Sequence, residues 1–377
     1  MQRRNFISRT LKTAGGIVMA STLPAFNIIS SSKNNNGKLG IALVGLGNYA
    51  EHQLAPALQK TSGCYLAGIV TGTPEKEEKW AKKYDIPERS IYNYDNFDEI
   101  ANNKDIDIVY VVLPNSMHAE FSIRAAEANK HVICEKPMAI SVEECQAMIA
   151  ASNKAGKKLS IGYRLHFDPY NLRMMELGQN KKYGKIREVS AGFAFHSRDP
   201  NAWRMKKDLA GGGPLMDLGV YALQGCIYTV GELPVQVTAK DTTQKTDFFT
   251  EVEGTIEWEL EFPSGFKGVC KTSYEDQYNY LKCDASEGTF ELDPAYSYGG
   301  IKGKTPGGDM KFENVNQQAL QMDGFVNCIR NGMECIVPGE MGLRDLYIME
   351  AIYEAAETGR PVSLKNIPNI LHVRSEG

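Results

Sequence analysis

From Leu39 to Tyr163, short apolar runs alternate with amphipathic segments. "LGIALVGLG" (39–47), "CYLAGIV" (64–70), "DIVYVVLP" (107–114), "HVICEKP" (131–137) and "KLSIGY" (158–163) read as strands. The run 107–114 is apolar almost throughout, as a strand covered on both faces should be. Segments 54–61, 74–85, 118–130 and 141–157 read as helices between them. Strand and helix in turn predict parallel α/β layering of the Rossmann kind.

The pattern changes after residue 180. "KIREVSAGFAFHS" (185–197) reads as a strand with partial alternation. In "EVEGTIEWELEF" (251–262), Val252, Gly254, Ile256, Trp258, Leu260 and Phe262 share one face. Glu251, Glu253, Glu257, Glu259 and Glu261 take the other, which is wet or faces a partner. "FKGVCKTSY" (266–274) and "YLKCDASEGTFEL" (280–292) continue the sheet. The expectation is an α+β second domain on an open, mostly antiparallel sheet. Segment 343–361 reads as a long amphipathic helix stopped by Gly359 and Pro361.

At 377 residues and 42% hydrophobic content, the chain is too long for one ordinary core. Its 42 Lys and Arg against 46 Asp and Glu give a net charge of -4, which offers no reason to bind nucleic acid. The eight cysteines never form CxxC; Cys134, Cys145 and Cys226 sit in apolar or helix-like settings and read as buried free thiols. The six histidines lack ligand spacing and there is no HExxH, so no metal is expected. No run is a convincing membrane span.

The first 29 residues are different. They hold Arg3, Arg4, Arg9 and Lys12, no acid, and the weakly apolar "TAGGIVMASTLPAF". That layout predicts an export signal, with Arg3 and Arg4 suggesting the twin-arginine route to the periplasm. An amphipathic tail is the other reading. The expected division is a signal over 1–29, a linker over 30–38, a nucleotide domain over 39–160, a substrate and oligomerisation domain over 161–342, and a C-terminal helix and tail over 343–377, packed back on the first domain.

"GLGNYA" (45–50) follows the first strand with the spacing of a dinucleotide fingerprint. Gly45 makes the tight turn, Gly47 lets the backbone approach a pyrophosphate, and Ala50 keeps the next helix close to the sheet. An NAD site carries an acid about 20 residues on. Here "VTGTPEK" offers Thr71, Thr73 and Lys76 and no acid at the strand exit. Those donors suit a 2'-phosphate and favour NADP. Alternatively Lys76 is one more solvated lysine of its helix.

Ligands of such sheets bind beyond the carboxyl ends of the strands. Leu113, Pro114 and Asn115 end one strand, and His118 opens the next helix. Glu135, Lys136 and Pro137 end another, either as a salt-linked strand end or as part of a site. Arg164 follows the last parallel strand. The residues expected against the cofactor are therefore these, without Pro137, together with Gly45, Gly47, Asn48, Tyr49, Thr71 and Lys76. From the second domain, "LAGGGPLMDLGVYAL" (209–223) supplies a flexible entrance at Gly211–Gly213. Asp217 and Tyr221 follow, four apart and so on one helix face. A carboxylate and a phenol so placed can grasp a polyol and move a proton. A free phenol is a poor base at neutral pH, and a nearby cation such as Lys136 would improve it. A tyrosine merely capping a core helix is the plainer alternative.

Taken together, "GLGNYA", "VTGTPEK", "VVLPNSMHAEFSIRAAEANKHVICEKPM", "KKLSIGYRLHFDPYN", "WRMKKDLAGGGPLMDLGVYAL" and "AIYEAAETGRPV" resemble the glucose–fructose oxidoreductase family. That family lies within the wider Gfo/Idh/MocA group of sugar and inositol dehydrogenases. The resemblance spans about residues 39 to 362 and extends to a twin-arginine leader. It implies that Lys136 contacts the sugar, that Tyr221 transfers the proton, that Asp217 orients the sugar, and that Thr71 and Lys76 meet the 2'-phosphate of NADP. It further implies a periplasmic homodimer or homotetramer, joined through the second sheet, that keeps NADP while one sugar is oxidised and another reduced. The sequence departs from the family in its short, proline-free segment "SSSKNNNGK", where members carry an arm. An ordinary NADP-dependent sugar dehydrogenase, a cofactor-assisted glycoside hydrolase and a non-catalytic sensor remain alternatives.

Overall fold

The computed structural model describes residues 37–372. The expected leader, 1–29, and most of the 30–38 linker lie outside the described residues, as does the tail after His372.

Six parallel strands form the first sheet: β1 (Leu39–Val44), β2 (Cys64–Val70), β3 (Ile91–Tyr92), β4 (Ile108–Val111), β5 (His131–Cys134) and β6 (Leu159–Ile161). Their order is β3-β2-β1-β4-β5-β6, so the strand order reverses beside β1, between β2 and β4. β1 stops at Val44 because Gly45 turns the chain with φ +93°, and a Cβ there would stand 2.5 Å from the Val112 carbonyl. The first helical turns begin at Ala50, earlier than the pattern predicts, and run to Leu58. The expected helices at 74–85, 118–130 and 141–157 appear as Pro74–Tyr84, His118–Glu127 and Val142–Ala155. Ser141 caps the last of these by accepting from Glu144 N at 3.2 Å.

The second sheet has nine strands among the described residues: β7 (Ile186–Ala194), β8 (Gln236–Asp241), β9 (Thr255–Glu261), β10 (Lys267–Ser273), β11 (Tyr278–Ala285), β12 (Gly288–Leu292), β13 (Gly303–Thr305), β14 (Gly308–Asp309) and β15 (Val362–Ser363). Every pair is antiparallel except β7 with β10. β9 begins only at Thr255, yet Ile256, Trp258 and Leu260 are buried as the alternation predicts, while Glu257 and Glu261 are exposed. The helix Val220–Val230 is buried along most of its length and packs on β7, β10 and β11.

Two C-terminal helices pack on the first sheet. Gln317–Asn331, which no sequence pattern singled out, places Ala319, Met322, Phe325 and Val326 in the apolar cluster shared with β1, β2 and β4. Gly339–Thr358 starts after Pro338, packs on β6 and on the helix Val142–Ala155, and also lies along β8. It therefore touches both sheets. Among the described residues no helix is long and apolar enough to cross a membrane.

Candidate active site

The carboxyl ends of β1, β2, β4 and β5 open into a cavity of about 370 Å³. At one end stand Gly45, Gly47, Asn48, Tyr49, Thr71 and Lys76. At the other stand Leu113, Pro114, His118, Glu135, Lys136, Asp217 and Tyr221. Thirteen of the expected residues thus meet in one space, although they come from both domains. The backbone at Gly47 faces open room: a Cβ there would meet nothing within 4 Å. The bare backbone suits the approach of a pyrophosphate.

Two expected residues lie elsewhere. Asn115 is buried, and its amide donates to Ala210 O at 2.8 Å, tying the rim of the first sheet to the segment before Gly211. Arg164 does not line the cavity. It lies behind Tyr221 and Tyr298, 2% exposed, with its guanidinium on Tyr296 O, Ser297 O and the Gln317 amide oxygen.

Glu135 and Lys136 do not pair side chain to side chain. The Lys136 ammonium donates to Asp217, at 2.6 Å to its backbone oxygen and 3.1 Å to its carboxylate. Glu135 instead accepts from the Tyr110 hydroxyl at 2.6 Å, in space left because residue 162 is glycine. Burial pushes the Glu135 carboxyl above its ordinary value. Burial opposes the charge on Lys136, but Asp217, Tyr221 and Glu135 outweigh it and hold the ammonium above its ordinary value. The Lys136–Pro137 bond is cis.

Asp217 sits in a π-helical turn, Leu215–Gly219, just ahead of the α-helix that carries Tyr221. Besides Lys136, its carboxylate accepts from Arg204 Nε at 3.0 Å and the Tyr274 hydroxyl at 2.9 Å. Burial raises its proton affinity, but the two cations and the hydrogen bonds prevail and hold it at about 2. The acid expected to grasp the sugar is thus largely occupied in fixing Lys136 and Arg204. Nor is the Gly211–Gly213 segment a flexible entrance. Glu253 accepts from Gly213 N at 2.9 Å and Leu215 N at 3.1 Å, and Tyr353 closes the clamp on the same carboxylate at 2.9 Å. These glycines serve close packing: a Cβ at Gly212 would stand 2.0 Å from the Tyr353 hydroxyl.

Tyr221 is half-buried, with the Lys136 ammonium 4.9 Å and the Arg164 guanidinium carbon 5.2 Å from its ring centre. His118 lies with Nδ1 2.9 Å from Pro137 O and Nε2 2.9 Å from Leu113 O; burial pulls it down to about 4, so the neutral ring donates to one of the two carbonyls at a time. Buried between two strand ends, it serves as a brace rather than as a proton carrier. Sequence reasoning missed Tyr94, Trp203 and Tyr298 on the cavity wall and Tyr274 behind Asp217. Tyr298 and Tyr274 come from loops with no spacing relation to the motifs, whereas Trp203 and Arg204 stand in "WRMKKDLAGGG", just upstream of the glycine run.

Residues 39–163 match the oxidoreductase family with an NAD-binding Rossmann fold, and residues 171–293 match the GFO/IDH/MocA C-terminal domain. The chain is also 44% identical, with a TM-score of 0.85, to the crystal structure of an aldose-aldose oxidoreductase from Caulobacter crescentus complexed with glycerol. That match covers 87% of this chain and all of the other. This chain belongs to the Gfo/Idh/MocA oxidoreductase family. It is a dinucleotide-dependent enzyme, using NAD or NADP, that acts on a sugar-like substrate. Among curated relatives, a D-xylose 1-dehydrogenase [NADP(+)] of Haloarcula marismortui is 27% identical over 86% of this chain and 92% of the relative. A D-glucoside 3-dehydrogenase of Escherichia coli is 25% identical over 88% of this chain and 99% of its own.

Proposed function

We propose that this oxidoreductase is NADP-dependent, oxidises an aldose at C1, and keeps its cofactor while a second sugar is reduced. The observation that carries the reading is the single cavity linking Thr71, Thr73 and Lys76 at one end to Lys136 and Tyr221 at the other. The end with the threonines has no acidic side chain on its wall, which favours a 2'-phosphate over a bare ribose diol. The open backbone at Gly47 fits the pyrophosphate, and Tyr49, Leu113, Pro114 and Glu135 would hold the nicotinamide half. When bound, the nicotinamide supplies the hydride acceptor.

The protein's own residues handle the proton. Tyr221 takes it from the C1 hydroxyl during oxidation and returns it to a carbonyl oxygen in the reverse direction. Lys136 steadies the oxygen on which charge develops. Asp217 holds Lys136 and Arg204 in place, while Trp203, Arg204 and Tyr298 wall the sugar side. An intact set of this kind argues against a non-catalytic sensor. The 44% identity to an aldose-aldose oxidoreductase supports sugar-to-sugar exchange, and the NADP(+) of the xylose dehydrogenase supports the cofactor choice. The reading includes export of folded protein by the arginine-led segment 1–29. It also includes a homodimer or homotetramer built on the face of the second sheet that bears Glu257, Glu259 and Lys271.

Protein purified without added cofactor tests the reading by its absorption spectrum and by the mass of any released ligand. NADP should be present, should be reduced by one aldose and reoxidised by a second sugar. An empty site with free turnover of added NADP would mean ordinary dehydrogenation. No reduction by any aldose would overturn C1 oxidation.

A further inference from the structure

Arg164 is the largest charged group near the reactive centre for which cofactor contact leaves no place. It is 2% exposed and follows β6, from which the chain crosses into the second domain. Its Nη2 donates to Tyr296 O at 2.5 Å, its Nη1 donates to Ser297 O at 3.3 Å, and Nη1 also meets the Gln317 amide oxygen. Those bonds fix the turn that presents Tyr298 and link it to the helix Gln317–Asn331. The guanidinium carbon lies 4.4 Å from the Tyr298 ring centre and 5.2 Å from that of Tyr221. Its Nε is buried with no hydrogen-bond partner.

A buried cation has to be compensated. No carboxylate forms an ion pair with Arg164 among the described residues; carbonyls, aromatic faces and the Gln317 amide surround it, the amide nitrogen donating in turn to Asp168 at 2.9 Å, and Glu135 feels its charge from farther off. Such a charge is best stabilised when a neighbouring phenol carries negative character, and the phenols of Tyr221, Tyr49 and Tyr298 lie close enough to act on the guanidinium. The charged and titratable groups near Tyr221 are Lys136, Arg164, Asp217, Glu135, Tyr49 and Tyr298. One carboxylate, Asp217, serves both Lys136, at 3.1 Å, and Arg204, at 3.0 Å. Arg164 is the cation of this group that makes no ion pair with a carboxylate among the described residues.

We propose that Arg164 is a positioning residue for proton transfer: from outside the cavity it fixes the Tyr221 and Tyr298 rings and sets a positive charge beside the reactive phenol. The proposal rests on Tyr221 being the proton carrier.

The test measures single-turnover reduction of bound NADP by a good aldose, across pH, for Arg164→Met and Arg164→Lys, each also in a Tyr221→Phe background. Arg164→Met should slow the step about 10 to 100-fold, one or two factors of ten in transition-state stabilisation. It should also move the basic limb of the profile upward. Arg164→Lys keeps the charge and should recover part of the rate, so a Met variant that folds poorly does not end the test. In the Tyr221→Phe background the same changes should cost less than about threefold, because coupled residues are not additive. Equal losses in both backgrounds would overturn the proposal and leave Arg164 as fold support. Weaker NADP binding at an unchanged saturating rate would overturn it in favour of direct cofactor contact. A Tyr221→Phe enzyme at full speed would sink the proton-carrier reading itself, and the proposal with it.

Discussion

Replacing Asp217 by Asn removes one charge from a cluster that contains two cations. The carboxylate lies 3.1 Å from the Lys136 ammonium and 3.0 Å from Arg204 Nε, and its side chain is 16% exposed. Its proton affinity is held at about 2, against an ordinary aspartate value of 3.8. Because the folded value is depressed, the stabilisation is fully present above the unfolded value and is lost as pH falls through the folded one. A difference of that size corresponds to about 2 kcal/mol at neutral pH. Asp217→Asn should therefore lower unfolding free energy by about 2 kcal/mol at pH 7, and the gap to the wild type should shrink to roughly half of that by about pH 3. Urea titrations of both proteins across that range give the two curves. A gap that stays constant with pH would refute the reasoning, since it would show that packing of the side chain, not its charge, is what the fold uses.

Lys76→Ala should weaken NADP by about 5 to 30-fold, the loss of one charge-assisted bond, and leave NAD nearly unchanged; equal losses in two dissociation constants would mean that Lys76 only supports its helix. Gly162→Ala would place a Cβ 2.6 Å from Glu135 Oε1, so the carboxylate must leave Tyr110. The expected cost is about 1 to 3 kcal/mol, read as a lower melting temperature, and an unchanged melt would show that the carboxylate has room to move. Changing Arg3 and Arg4 to lysine in a reporter fusion of residues 1–29 should stop export, and unchanged export would end the twin-arginine reading.

The parallel domain was legible because each strand is a short apolar run and each helix is bounded by a recognisable turn. The Gly45 turn, the Ser141 cap and the rim at Glu135 and Lys136 all follow from local sequence. The helix Gln317–Asn331 was not legible as part of the first domain, because its apolar residues match β1 and β2 across more than two hundred positions of chain. The π-helical turn at Asp217 also escaped a spacing argument that assumed a regular helix. At the site, the motifs predicted which residues gather but not how they divide the work. Lys136 and Glu135 are neighbours in sequence, yet the lysine goes to Asp217 and the glutamate to Tyr110. Tyr274 and Arg204 share the Asp217 carboxylate with that lysine, and Tyr274 reaches it through tertiary packing that no motif encodes.

The central claim, that Tyr221 carries the proton in a sugar oxidation, is tested most directly by stopped-flow reduction of the bound nicotinamide in wild type and Tyr221→Phe. The substitution removes only a hydroxyl, so packing against Phe193 and Tyr296 should survive, at ring separations of 5.6 and 5.9 Å. The account predicts a single-turnover rate lower by about 100 to 10,000-fold with cofactor affinity unchanged. A Tyr221→Phe enzyme that reduces its nicotinamide at the wild-type rate with every good aldose would contradict it.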